Sequence, residues 1–292
     1  MSEQWQRQFR EEGYALLPQV LPHALIDQHV DGVSAIFERH GAHHNARLVE
    51  WEKPREAAFH EDLDRLDREE GASFALSMQP TITERLQELF GEPPVRCSVR
   101  TALWEFGDRA PHFDTTFVST TPTDAVCRAW CALEDIHPDS GVFYVVPGTH
   151  RAVRSQILES TLRENPEFLD ILKRLAADRA LVQPELHRRV WPDLCVRMAA
   201  AIRALPRRTF ALRKGDVVLF SPNAIHGTMP RINPALSRKV MISEWRARSA
   251  VLYFASEHFG TLYDRRDVEG AGQKVRDHVR QTAYGLVGES FR

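Results

Sequence analysis

Pro94-Val95-Arg96-Cys97-Ser98-Val99-Arg100-Thr101-Ala102-Leu103-Trp104 is the stretch in which this chain changes its period. Val95, Cys97, Val99, Thr101 and Leu103 alternate with Arg96, Ser98, Arg100, Ala102 and Trp104. Successive side chains of a strand point to opposite faces, so a period of two predicts β-structure. Downstream runs read the same way: Ala125 to Leu133, Val142 to Val146, Val217 to Phe220 and Val240 to Trp245. Their connections carry turn residues, among them Asp139-Ser140-Gly141 and Pro147-Gly148.

Upstream of this point the period is helical. Trp5 and Phe9 stand four apart in a short helix over 3–12 that Gly13 ends, and Tyr14 to Leu17 reads as a strand. Pro22 opens a second helix with Leu25, Ile26, Val30, Val33, Ile36 and Phe37 on one face and Gly41 at its close. Residues 50–70 hold nine acids against four bases and read as a solvated helical face. A helix over 81–90 is capped by Gly91, with Pro93-Pro94 behind it. A second helical stretch, 154–205, interrupts the strands. The strands on either side of it are too few to close a sheet alone. One domain over 1–292 is therefore expected: a helical layer at 1–92, strands at 95–150 and 210–250, and the insert as a lid.

Composition narrows the function. The chain has 292 residues and a formal net charge of −2, so no global field draws it to nucleic acid or an anionic membrane. No apolar run approaches a membrane span. Met1 to Arg7 lacks the apolar core of a secretory signal. The four cysteines, Cys97, Cys127, Cys131 and Cys195, form no CxxC pair, and Cys127 and Cys131 read as core packing. A reducing, cytoplasmic setting is expected.

His112-Phe113-Asp114 places an imidazole and a carboxylate on one side of an extended segment. Two ligands leave a metal incomplete, and two His plus one carboxylate is the facial arrangement of non-haem iron(II) oxygenases. His226, six residues past Phe220, is the natural third ligand. His40-Gly41-Ala42-His43-His44 lacks carboxylate or thiolate company and reads as a loop, and His150 reads as a turn residue. Trp130 shares a strand face with Val126, Arg128 and Ala132. An interior Arg128 is costly without a partner. It holds either an anionic group of substrate or cosubstrate, or a structural acid of the protein.

These pieces stand in an order that resembles the phytanoyl-CoA dioxygenase family of iron(II)/2-oxoglutarate-dependent oxygenases. Phe9-Arg10-Glu11-Glu12-Gly13-Tyr14 with Val20-Leu21-Pro22 is similar to that family's opening, and His112-Phe113-Asp114 to its HxD. Trp130-Cys131-Ala132-Leu133-Glu134-Asp135, Ser140-Gly141 and Pro147-Gly148-Thr149-His150 resemble its central segment, with Thr149 where Ser is usual. Lys214-Gly215-Asp216-Val217 leading to His226, and Leu236-Ser237-Arg238-Lys239, resemble its closing motifs.

The resemblance implies a double-stranded β-helix, a cupin-like jelly-roll barrel. Fe(II) would sit on His112, Asp114 and His226, with 2-oxoglutarate and O2 in the open positions. Arg238, Thr228 and Trp130 would serve the cosubstrate. A guanidinium grips a carboxylate bidentately. Arg231 lies between two prolines in an exposed turn, whereas Arg238 inward puts Val240 and Ile242 inward and Lys239 outward. The expected activity is hydroxylation of a small-molecule C–H bond with release of succinate and CO2, of EC 1.14.11 type. A retained Asp114 disfavours halogenation, since related halogenases have a small residue there. Desaturation, epoxidation or ring formation by the same oxidant is the alternative within the class. A non-catalytic binding or sensor protein is the alternative outside it. Residues 151–213 carry a net charge of +6, which suits an anionic substrate or simply solvated helix faces.

Overall fold

The computed structural model describes residues 2–40, 57–68, 71–103, 110–114, 118–122, 124–167 and 191–254. Trp104, Gly41, His43, His44, the ends of the acidic stretch and 168–190 of the insert lie outside the described residues.

The N-terminal helices are α1 (Ser2–Glu12), α2 (His23–Arg39), α3 (Ala57–Leu66), α4 (Ala72–Ser77) and α5 (Pro80–Phe90). Pro80 opens α5 with its φ preset for a helix, and Gly91 closes it in the left-handed conformation, φ 72°. The acidic stretch is less solvated than expected. Asp62 of α3 lies 2.7 Å from Arg39 and 3.0 Å from Arg65, and Asp67 lies 2.6 Å from Arg96, so these acids tie helices to one another and to the sheet.

The large antiparallel sheet has the order β1 (Tyr14–Leu17), β7 (Val217–Phe220), β4 (Val126–Ala132), β9 (Val240–Ala247), β2 (Pro94–Ala102). A smaller sheet runs β6 (Arg208–Phe210), β5 (Phe143–Val145), β8 (His226–Thr228), and β3 (Val118–Thr121) pairs with β10 (Val251–Phe254). The strand alternation sorts the core into layers. Cys127, Ala129, Cys131, Val217, Leu219, Met241 and Trp245 pack on Phe9, Ile26, Leu76, Ile82 and Leu86 of the helical layer. The alternate residues Trp130, Ala132, Val218, Phe220 and Val240 meet Phe143, Val145 and Phe210 of the smaller sheet. β4 and β7 are thus buried on both faces, which is why β7 is a continuous apolar run and β4 is apolar but for Arg128. Two facing antiparallel sheets whose strands interleave along the chain form the expected jelly roll.

The insert adds a third layer. α6 (Ala152–Glu164) and α7 (Trp191–Ala201) pack Ile157, Leu194 and Met198 on Phe113, Tyr144, Val146 and Ile225, covering the outer face of the smaller sheet. The strands that the sequence did not disclose, β3, β6, β8 and β10, are three or four residues long. Such lengths are too short to establish a period of two.

Candidate metal centre

His112-Phe113-Asp114 faces the sheets' mouth because Phe113 is anchored the other way. Phe113 is fully buried in the cluster with α6 and α7, and neighbours in an extended segment point oppositely, so His112 and Asp114 turn inward together. The backbone fixes their register. His112 N–H donates to His226 O at 2.9 Å, His226 N–H donates back to His112 O at 2.8 Å, and Asp114 N–H donates to Pro222 O at 2.8 Å. The strand that carries His226 is itself pinned. The Thr149 hydroxyl accepts from Ile225 N–H and donates to Val146 O, both at 2.8 Å. A Ser hydroxyl would do the same, which accounts for the exchange noted in the sequence.

The ligand atoms of His112, Asp114 and His226 all lie within 4.8 Å of one another. His112 Nδ1 is 2.8 Å from Ala110 O, and His226 Nδ1 is 2.9 Å from Ala224 O. A carbonyl only accepts, so each Nδ1 carries its proton. The Nε2 atoms face the Asp114 carboxylate at 3.6 Å for His112 and 3.3 Å for His226. Two imidazole lone pairs beside two carboxylate oxygens repel unless positive charge sits among them. Neutral imidazoles oriented through Nδ1–H by a carbonyl are the usual state of histidine metal ligands. The donor set of two nitrogens and one carboxylate therefore fits a divalent iron.

Asp114 is 9% exposed. Burial pushes its carboxyl up, but the Arg128 guanidinium and both imidazoles outweigh that and hold it well below the usual carboxylate range. Arg128 Nη1 lies 2.8 Å from Asp114 Oδ2, while Nη2 and Nε lie 2.6 Å and 2.9 Å from Glu244 Oε2. Of the two partners expected for Arg128, the structure supplies acids of the protein. Sequence reading missed Glu244. The available signal was that Glu244 keeps phase with Val240 and Ile242, which places an acid on the interior face opposite Arg128.

Arg238 is 6% exposed, and Thr228, two residues past His226 on β8, is 9% exposed. Gly141 makes room for the arginine: a Cβ there would stand 3.3 Å from Arg238 Nη1 and 2.8 Å from Met229 O. Its φ of 83° is one that glycine adopts without strain. Trp130 stacks on Phe143 at 5.5 Å, and Phe143 lies 5.8 Å from the His226 ring. Arg231 points elsewhere. Its guanidinium donates to the carbonyls of Asn233, Pro234 and Leu236, knitting the turn ahead of Arg238.

Comparison with known proteins bears on these groups together. Residues 9–240 match the sequence profile of the family described as phytanoyl-CoA dioxygenase. The chain belongs to that family. A phytanoyl-CoA dioxygenase family member is a non-haem iron(II)/2-oxoglutarate-dependent oxygenase, and His112, Asp114 and His226 form a group that could hold such a metal. One curated relative, phytanoyl-CoA dioxygenase domain-containing protein 1 of Danio rerio, is 41% identical over 44 residues, 15% of this chain and 15% of its own length. Among solved structures, the carbocyclase SnoK from nogalamycin biosynthesis aligns with TM-score 0.59 at 18% identity, over 90% of this chain and 91% of its own. The epimerase SnoN from the same biosynthesis aligns at 0.57 and 18%, over 90% and 91%. EctD from S. alaskensis, solved with 2-oxoglutarate and 5-hydroxyectoine, aligns at 0.54 and 13%, over 85% and 77%. At these identities the likeness establishes the jelly-roll fold.

Proposed function

We propose that this protein hydroxylates a C–H bond of a small molecule, with His112, Asp114 and His226 holding the iron. The observation that carries the reading is the convergence of two Nδ1-fixed imidazoles and one ionised carboxylate at a buried point between the sheets. Iron(II) with 2-oxoglutarate and O2 supplies the oxidising power and yields succinate and CO2. The protein's own groups orient and enclose. Arg238 would bind the far carboxylate of 2-oxoglutarate, with Thr228 and Trp130 beside it. The apolar cluster of Trp130, Phe143 and Phe220 excludes water from the reacting centre.

Asp114 in its place favours oxygenation over halogenation. Desaturation, epoxidation or ring formation by the same oxidant remains the companion reading, and the carbocyclase on this fold is an instance of ring formation. An anionic substrate is supported only by the +6 charge of residues 151–213, since Arg128 is engaged by protein acids. We read the cellular setting as cytoplasmic from four free cysteines. Among the described residues no helix is long and apolar enough to cross a membrane.

The test is anaerobic addition of iron(II) and 2-oxoglutarate to the metal-free protein. A weak visible charge-transfer band is expected, to be followed by succinate release against a substrate panel in air. His112→Ala and His226→Ala should lose band and turnover while staying folded. Either variant turning over at the wild-type rate would refute the ligand assignment.

A further inference from the structure

Behind the ligand trio, the interior face of the large sheet carries an arginine and a glutamate directly opposite one another. Arg128 on β4 pairs in register with Glu244 on β9, and they are 9% and 2% exposed. Their neighbours on that face are Phe220, Trp130 and Ile242, so the pair is set in apolar surroundings. A buried ion pair of this kind is weak support for a fold, because desolvating both ions offsets their attraction. Apolar side chains of similar volume would serve packing as well. What the pair does have is a position: the Arg128 guanidinium gives two contacts to Glu244 Oε2, at 2.6 Å and 2.9 Å, and a third, Nη1, reaches Asp114 Oδ2 at 2.8 Å.

Charge accounting gives the glutamate a role. With both imidazoles neutral, Asp114 is the only charge the trio offers a dication. Arg128 orients that carboxylate, but alone it would also cancel it, leaving no net negative charge to hold the metal. Glu244 returns the sum over these five side chains to −1. We infer that Glu244 is a positioning residue of the metal centre: it seats Arg128 and offsets its charge, so that Asp114 is held in place without being neutralised. The inference rests on the metal reading of the preceding section and extends it to a residue that touches no ligand directly.

Co(II) binding to the metal-free, full-length protein tests it, followed by calorimetry and by the visible absorption of the bound ion. Glu244→Gln should weaken Co(II) about 10- to 100-fold, the usual cost of altering an outer partner of a metal ligand. Arg128→Met combined with Glu244→Met should bind more tightly than Glu244→Gln alone, because the uncompensated positive charge has left with the arginine. The reversal is read as Co(II) affinity in variants shown to be folded, so a loss of stability alone does not produce it. Glu244→Gln binding like wild type, or a double variant no tighter than Glu244→Gln, would overturn the inference. If Glu244→Gln does not fold, the double variant decides. Binding within about tenfold of wild type supports the inference, and a loss as deep as that of His226→Ala overturns it. Wild type binding Co(II) no better than His226→Ala would refute the metal centre itself.

Discussion

Lowering the pH loads a proton onto the unfolded chain that the folded chain resists at His29. This residue lies on α2, is fully buried, and joins three elements: its Nε2 is 2.9 Å from the Thr101 hydroxyl of β2 and its Nδ1 is 3.0 Å from the Ser73 hydroxyl of α4. Both partners are hydroxyls that can accept as well as donate, so protonation breaks neither contact. The cost is burial of the charge, and it lowers the imidazole from its ordinary 6.5 to about 4. The folded state therefore binds fewer protons than the unfolded state between pH 6.5 and 4, and stability falls as the pH falls through that window. At about 1.4 kcal/mol per unit, the full loss is about 3 kcal/mol, of which about 2 kcal/mol is gone by pH 5. The assay is urea unfolding of wild type and His29→Gln at pH 7.5 and pH 5. Other titrating groups act on both proteins, so the wild type should lose about 2 kcal/mol more than the variant across that interval. Parallel losses in the two proteins would refute the reasoning.

Further outcomes concern the cosubstrate side of the barrel. Arg238→Ala should weaken 2-oxoglutarate use by about 2–4 kcal/mol, read as its Michaelis constant, the scale for removing one partner of a desolvated charge pair. Arg231→Ala should leave that constant within about threefold and instead lower unfolding stability by about 1–3 kcal/mol, since its guanidinium bonds the carbonyls of a turn; a large effect at Arg231 with none at Arg238 would reverse the two roles. Gly141→Ala should cost about 1–3 kcal/mol in stability from its positive φ and raise the same Michaelis constant by displacing Arg238. An unchanged constant in that variant would separate Gly141 from the cosubstrate.

The grouping of His112, Asp114 and His226 was legible because each of the three obeys a local rule. His112 and Asp114 share a face by the period of two, and His226 follows a strand whose apolar run, Val217 to Phe220, is evident in the sequence. The large sheet was legible for the same reason, since β2, β4, β7 and β9 are long enough or apolar enough to announce themselves. Sheet order was not legible. It depends on pairings such as β1 with β7, which join residues 14–17 to 217–220 across nearly the whole chain. Glu244 escaped for a related reason. Its phase with Val240 and Ile242 turns Glu244 inward, but an interior acid has no evident purpose until its partner across the ladder is known to be Arg128. The acidic stretch misled in the same way. Asp67 reads as solvent-facing beside Arg65, Arg68 and Glu69, and only the tertiary fold brings Arg96 to within 2.6 Å of it.

The ordered motifs divide by what each does. Glu134 accepts from Ser237 Oγ at 2.9 Å and from Lys239 N–H at 2.8 Å, and so sets the strand that begins just after Arg238. Asp216 accepts from Gln19 N–H and Arg213 N–H, both at 2.9 Å, closing the turn that leads into β7 and on to His226. Thr149 fixes Ile225, the residue before that histidine. None of these three is in the ligand trio. Each is a polar group just beyond a strand end, where one side chain satisfies backbone N–H groups that the sheet leaves over. A metal centre whose ligands come from separate segments needs those segments held to within a fraction of an ångström. The anchors and the proposed ligands therefore occur together in sequence: His112, Asp114 and His226 are the residues proposed to hold the metal, and the precision of their meeting is held in residues such as Glu134, Thr149 and Asp216.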